Sequence, residues 1–254
     1  MRDHRHGAFP RAERYHGMQR TNHFLDTLPP KARALIEPDL ERVTLKRDDT
    51  LAEVGRTVEM VLLPTDSIIS VIAVMANGDQ VESRTIGRES GFGLLHALGS
   101  PYAFERVIVQ VGGEAWKIRT ETLRRAAAAS PVLTDSIIRH AQATIVQTAQ
   151  TNACNTLHAT PLRLARWLLM TQDRLGGDAV VPLTQEHLAI MLGVQRTTVT
   201  TLAASLQAEK IIRYSRGKIR ILDRDALTAR ACECYETVTL AVDRILADRV
   251  ERAA

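Results

Sequence analysis

The chain has 254 residues, 45% of them hydrophobic, with 33 Lys and Arg against 29 Asp and Glu and a formal net charge of +4. That length has room for two modest domains, and the composition is that of a soluble globular protein. Apolar runs such as residues 71–76 are far too short to span a bilayer, no apolar signal-peptide core follows the start, and Cys154, Cys232 and Cys234 make no disulfide framework, so a cytoplasmic location is expected.

In chain order, residues 1–20 are polar and rich in Arg and His and read as a disordered tail. His4, His6 and His16 are too scattered there to define a metal site. Residues 22–28 and 31–38 read as small helices. From residue 41 to about 120 the pattern is short strands, clearest at 58–63, 67–74, 80–86, 106–111 and 115–118. Asn77-Gly78 and Gly112-Gly113 are hairpin signals between them. Closely spaced short strands indicate a sandwich or jelly roll over residues 21–130.

Residues 131–158 read as one long helix of about 40 Å, opened by Pro131 and closed before Pro161. Ile138, Ala141, Ile145, Ala149, Ala153 and Leu157 recur at spacings of three or four. Residues 141–157 contain no Lys, Arg, Asp or Glu. A solvent-facing helix normally carries charge. The helix is therefore expected to be covered, by the β domain on one side and by a second copy of itself on another, with Gln142 or Asn152 setting the register. The simpler alternative is a core helix of a single chain.

Residues 183–210, LTQEHLAIMLGVQRTTVTTLAASLQAEK, read as two short helices joined by a tight turn at Gly193. Leu188, Ala189 and Leu192 form the apolar side of the first, and Val199, Leu202, Ala203 and Leu206 that of the second, with Val194 plugging the turn. The opposite face of the second helix offers Gln195, Arg196, Thr197, Thr198, Thr200 and Thr201. Short hydrogen-bonding side chains beside a fork-shaped cation suit the DNA major groove. The next residues, IIRYSRGKIRILD, alternate around Ser215-Arg216-Gly217 and read as a hairpin with Arg213, Arg216, Lys218 and Arg220 clustered on it. A helix-turn-helix followed by a basic hairpin is a winged helix; an ordinary core hairpin needs no such polar face. Residues 161–222 hold nine Lys or Arg against four Asp or Glu, a local surplus of five, and phosphate contact is its simplest use.

Residues 225–250 form a last amphipathic helix, with Leu227, Ala231, Cys234, Val238, Ala241 and Ile245 on one stripe. It is expected to pack on the winged helix or on a neighbouring subunit. Cys232-Glu233-Cys234 is read without a metal. Cys234 lies on the apolar stripe, where cysteine acts as a small hydrophobe, and two thiols without matched His or Cys ligands make a poor zinc site.

A β-roll, a long central helix and a C-terminal winged helix, in that order, resemble the Crp/Fnr family of bacterial transcription regulators over residues 21–224. The resemblance implies an α+β architecture of three parts: an effector-sensing roll (21–130), a dimerisation helix (131–158) and a winged helix (159–224), with residues 225–254 as a further helix. It implies a homodimer that reads a near-palindromic duplex, a small effector bound in the roll, and RNA polymerase as a further partner. The family's recognition helix offers Arg, Glu and a second Arg; here these positions carry Arg196, Thr197 and Thr201, so a different half-site is expected. The cyclic-nucleotide members show Phe-Gly-Glu-Leu and, downstream, Arg-Ser. Here the run is Phe92-Gly93-Leu94-Leu95, and Ala103 and Phe104 stand where Arg and Ser would be. A phosphate left without cation or donors is costly to bury, so cyclic AMP is not expected as a cofactor, and none is identifiable. By analogy residues 87–104 and 147–152 wall the effector pocket, with Arg88, Phe92, Leu94, Phe104, Arg106 and Thr148 as its candidate side chains. No cysteine precedes Cys154 to ligate an iron–sulfur cluster of the family's oxygen-sensing kind, and His96 and His140 are isolated candidates for haem.

No Gly-rich phosphate loop, nucleophile–base grouping or paired carboxylates stand out, so no enzyme is expected. The competing reading is a metabolite- or partner-sensing module with only weak, non-specific DNA binding.

Overall fold

The computed structural model describes residues 21–177 and 180–247; the tail histidines and the last residues of the predicted C-terminal helix lie outside them. Two short helices, α1 (His23–Thr27) and α2 (Pro30–Arg33), and a 3-10 turn at Glu37–Asp39 lead into seven strands. These are β1 (Glu41–Leu45), β2 (Thr50–Ala52), β3 (Met60–Pro64), β4 (Ile68–Val74), β5 (Gln80–Ile86), β6 (Arg106–Val111) and β7 (Gly113–Arg119). They form two antiparallel sheets, β1-β7-β3 and β2-β6-β4-β5. Between the sheets lie Leu45, Leu62, Val71, Val107, Val109 and Ala115. Strand alternation turns Val61, Leu63 and Ile118 to the other side of the first sheet, where they meet Phe24, Leu123, Leu133 and Ile137 from helices.

The Asn77-Gly78 hairpin forms as expected, joining β4 to β5. Gly112-Gly113 does not: β6 and β7 belong to different sheets, so the pair is a crossing between layers. The glycines answer a close approach of backbones rather than a tight turn. A Cβ on Gly113 would lie 2.6 Å from Asp66 Oδ1 and one on Gly112 3.0 Å from the Leu45 carbonyl. Neither α3 (Leu94–Leu98) nor α4 (Thr120–Ala129) had a counterpart in the sequence reading.

The long helix α5 (Pro131–Leu157) starts on Ser130, whose hydroxyl accepts from the Leu133 amide. Its buried face is Leu133, Ile137, His140, Ala143, Gln147 and Cys154. The stripe predicted from spacing is not that face. Ile138, Ile145 and Leu157 are 52, 65 and 77% exposed, which makes them a second, uncovered apolar face. Positions 135, 138, 142, 145, 149, 152 and 156, at alternating spacings of three and four, are all exposed along it.

Two residues, His158 and Ala159, separate α5 from α6 (Thr160–Arg174). The winged helix follows: β8 (Val180–Val181), α7 (Gln185–Leu192), α8 (Arg196–Ala208), β9 (Ile212–Ser215) and β10 (Lys218–Ile221), with sheet order β8-β10-β9. Its core, including Leu168, Leu188, Val199 and Ile219, is continuous with Ile68 and Val111 from the outer face of the second sheet. The predicted single C-terminal helix is instead two, α9 (Arg224–Ala229) and α10 (Cys234–Ala247), with α10 lying along α5 and α6 of its own chain. Leu227, Cys234 and Val238 are buried as the stripe required.

Candidate nucleic-acid interface

The turn between α7 and α8 is built locally. The Thr184 hydroxyl caps α7 by accepting from the His187 amide, and Gly193 ends it in the left-handed region at φ 61°. Leu188, Met191 and Leu192 on α7 and Val199 and Leu206 on α8 are buried in one core, and Ala203 of α8 is buried as well. That fixes the opposite face: Gln195, Arg196, Thr197, Thr198, Thr200 and Thr201 are all exposed, at and just beyond the N-terminal end of α8. Arg196 Nε donates to Gln185 Oε1 at 3.4 Å, and the Thr200 hydroxyl donates to the same oxygen at 3.1 Å. Gln185 thus positions the exposed face of α8 from the start of α7. The sequence reading missed it; its place at the first helical position after a Thr cap was the available signal.

The hairpin closes on Arg216 and Gly217, both with positive φ, 47° and 72°, the geometry of a two-residue primed turn. Arg213, Arg216, Lys218 and Arg220 are exposed on it. The Tyr214 amide donates to Gln207 Oε1 at 2.8 Å, which ties the wing to α8. The basic surplus is more concentrated than the sequence count implied. Arg163, Arg166 and Arg174 turn inward, donating to the Leu192 carbonyl, the Thr151 hydroxyl and the Glu89 carboxylate.

The roll holds the winged helix through polar contacts. Arg47 donates to the Pro182 carbonyl at 2.9 Å, and His187 Nε2 meets Asp48 Oδ1 at 2.8 Å. Under α6, the buried Glu82 carboxylate accepts from the Ser70 hydroxyl, Gln110 Nε2 and Trp167 Nε1 at 2.6, 2.9 and 3.1 Å. Burial pushes its pKa above the ordinary 4.5, against the lowering effect of those donors and of Arg174.

The candidate effector residues do not assemble. Phe92 and Leu94 are buried in two different cores, so the place of the family's Glu is filled by a packed apolar side chain. Phe104 is 75% exposed. Arg106 pairs with Glu53, the buried Arg88 reaches towards Gly176, and the Thr148 hydroxyl bonds its own helix at Thr144. The reason is strand and helix direction, which spacing in the sequence did not fix. Of the predicted walls, Gln147 and Thr151 do line a cleft, together with Glu82, Arg84, Arg166 and Trp167. Its volume of about 20 Å³ has room for about one water. His140 is buried against Phe24 and Ser90 and His96 lies beside Phe92, so the two do not converge.

Residues 162–230 match the family model of the Crp-like helix-turn-helix domain. The chain carries a Crp-like helix-turn-helix domain. No curated protein matches it. Among solved structures, it is similar to a putative transcriptional regulator of the Crp/Fnr family from Eubacterium rectale (18% identity, 81% of this chain and 95% of that one, TM-score 0.63). It is also similar to FixK2 from Bradyrhizobium japonicum (14%, 76% and 98%, 0.66) and to the c-di-GMP responsive global regulator CLP of Xanthomonas campestris (13%, 76% and 99%, 0.62). The roll, long helix and winged helix thus have the Crp/Fnr-type fold, as the sequence resemblance implied. Among the described residues no helix is long and apolar enough to cross a membrane.

Proposed function

We propose that this chain is a transcription regulator that binds near-palindromic duplex DNA as a homodimer. The observation that carries the reading is the exposed polar face of α8 set beside a basic wing on a Crp-like domain. In this reading Arg196 forks onto a guanine, Thr197, Thr200 and Thr201 contact neighbouring base edges, and Arg213, Arg216 and Lys218 neutralise phosphates. The uncovered heptad face of α5 pairs with its copy and sets two recognition helices about 34 Å apart. An effector acting through the roll has to widen the cleft beside Gln147, and it shifts the dimer only by binding one arrangement better than the other. The role is binding rather than catalysis.

The test is selection of bound sequences from a random duplex pool at roughly physiological salt with the purified protein. A palindrome with half-sites one helical turn apart supports the proposal. Binding without an enriched motif, vanishing as salt rises both with and without added cell extract, overturns it in favour of a sensing module.

A further inference from the structure

Away from the DNA face, the end of α5 and the junction of α9 with α10 bring four ligand-type side chains together. Cys154 and His158 lie one helical turn apart; Cys232 and Cys234 flank Glu233, 74 to 80 residues further along the chain. Their three sulfurs and one imidazole nitrogen all lie within 4.8 Å of one another. Cys154 Sγ is 3.5 Å from Cys232 Sγ, and Cys234 Sγ is 3.4 Å from His158 Nδ1. A tetrahedral ion with Zn–S of about 2.3 Å and Zn–N of about 2.0 Å holds its ligands about 3.5–3.8 Å apart. Two of the six edges are already close to those lengths, and none exceeds 4.8 Å.

We propose that Cys154, His158, Cys232 and Cys234 form a structural zinc site that clamps the C-terminal segment to the central helix. Two features outside the ligand set support it. His158 Nε2 faces Glu233 Oε1 at 3.2 Å, which holds the ring so that Nδ1 points at the sulfurs, the carboxylate–histidine arrangement of metal sites. Three thiolates around a divalent ion leave one negative charge, and Arg163 and Arg166 lie close enough to act on these thiols through their charge. Each of these arginines keeps a buried Nε without a partner. Gln150 Nε2 also donates to Cys234 Sγ at 3.0 Å. Soft thiolates in a tetrahedral S₃N set select zinc over harder ions, and donors this close converge on one ion rather than around a multi-iron cluster. A Cys154–Cys232 disulfide would need an oxidant and would leave Cys234, His158 and Glu233 without a role.

The inference is independent of DNA reading, and so is its test. The full chain, reduced and stripped with a chelator, is titrated anaerobically with Co²⁺ and then Zn²⁺. The expected result is one Co²⁺ per chain with the visible bands of a tetrahedral ion and thiolate-to-cobalt charge transfer, both bleached by one equivalent of Zn²⁺. Removing a buried cysteine perturbs the core, so the deciding variants are peripheral. His158→Ala should alter the cobalt bands, and Glu233→Gln should weaken zinc binding about 10- to 100-fold with unchanged far-UV circular dichroism. A spectrum without thiolate charge transfer, a cobalt spectrum unchanged in His158→Ala, or zinc affinity unchanged in Glu233→Gln overturns the site. So does a Cys154–Cys232 disulfide that forms in air as readily with zinc present as without it.

Discussion

Ile145→Ala tests the proposed dimer at its centre. Ile145 is 65% exposed on the single chain and flanked along the heptad by Gln142 and Ala149. Full burial of an isoleucine side chain is worth about 1.5–3 kcal/mol, so covering the two-thirds still exposed contributes about 1–2 kcal/mol per copy. Across a two-fold seam the residue enters twice, which gives about 2–4 kcal/mol, or roughly 30- to 1,000-fold in the dimer dissociation constant. Truncation should cost most of this, since alanine retains only one carbon of the side chain. Sedimentation equilibrium over a dilution series measures the constant directly. Val74→Ala is the control, because Val74 is a similarly exposed aliphatic residue (43%) on the roll. A wild-type chain that stays monomeric at high concentration, or an Ile145→Ala constant equal to that of wild type, would refute the use of this face as the seam.

Three further outcomes follow from the geometry. Arg196→Ala should cost about 1–3 kcal/mol of specific binding and relax base preference at one position per half-site, read by competition between duplexes; unchanged preference removes Arg196 as the reader. Arg216→Gly should stabilise the fold, by an amount on the order of 1 kcal/mol, because a left-handed backbone suits glycine, while flattening the salt dependence of DNA affinity by about 0.9 log units per log unit of salt for each phosphate that Arg216 no longer neutralises. Thermal unfolding and a salt titration separate the two effects. Glu82→Gln should stabilise the chain increasingly as pH rises. The Glu82 pKa is raised in the fold, so its contribution is fully present below 4.5 and declines as pH climbs towards the folded value. Gln110 Oε1 is buried without a partner, so its amide can turn to accept from the new side-chain amide. Denaturant unfolding between pH 4 and 8 that shows parallel curves for the two proteins would contradict the assignment.

The winged helix was legible because its signals are local. A Thr cap, a left-handed Gly193 and the Arg216-Gly217 turn each act within a few residues, and apolar spacing fixed which face of α8 stays outside. The roll was legible strand by strand but not in its pairing: nothing near Gly112 records that β6 and β7 part into different sheets. On α5 the spacing rule found a real stripe, and Ile138, Ile145 and Leu157 of it stand exposed on the single chain. Two apolar faces share that helix, and the buried one contains His140 and Gln147, which no hydrophobic pattern selects. The cysteines show the same limit more sharply. Cys232 and Cys234 lacked matched ligands only along the chain, because the break between α9 and α10 and the packing of α10 on α5 supply Cys154 and His158 from far away.

The two-residue joint at His158 and Ala159 makes α5 a lever. With only two residues between helix and winged helix, a tilt of α5 that also slides the core shared by roll and winged helix is carried to the exposed face of α8. Over about 40 Å, a tilt of about 10° sweeps the far end through about 7 Å, about two base-pair steps along the duplex. In the proposed dimer, a displacement of that size is enough to bring a half-site into register or throw it out.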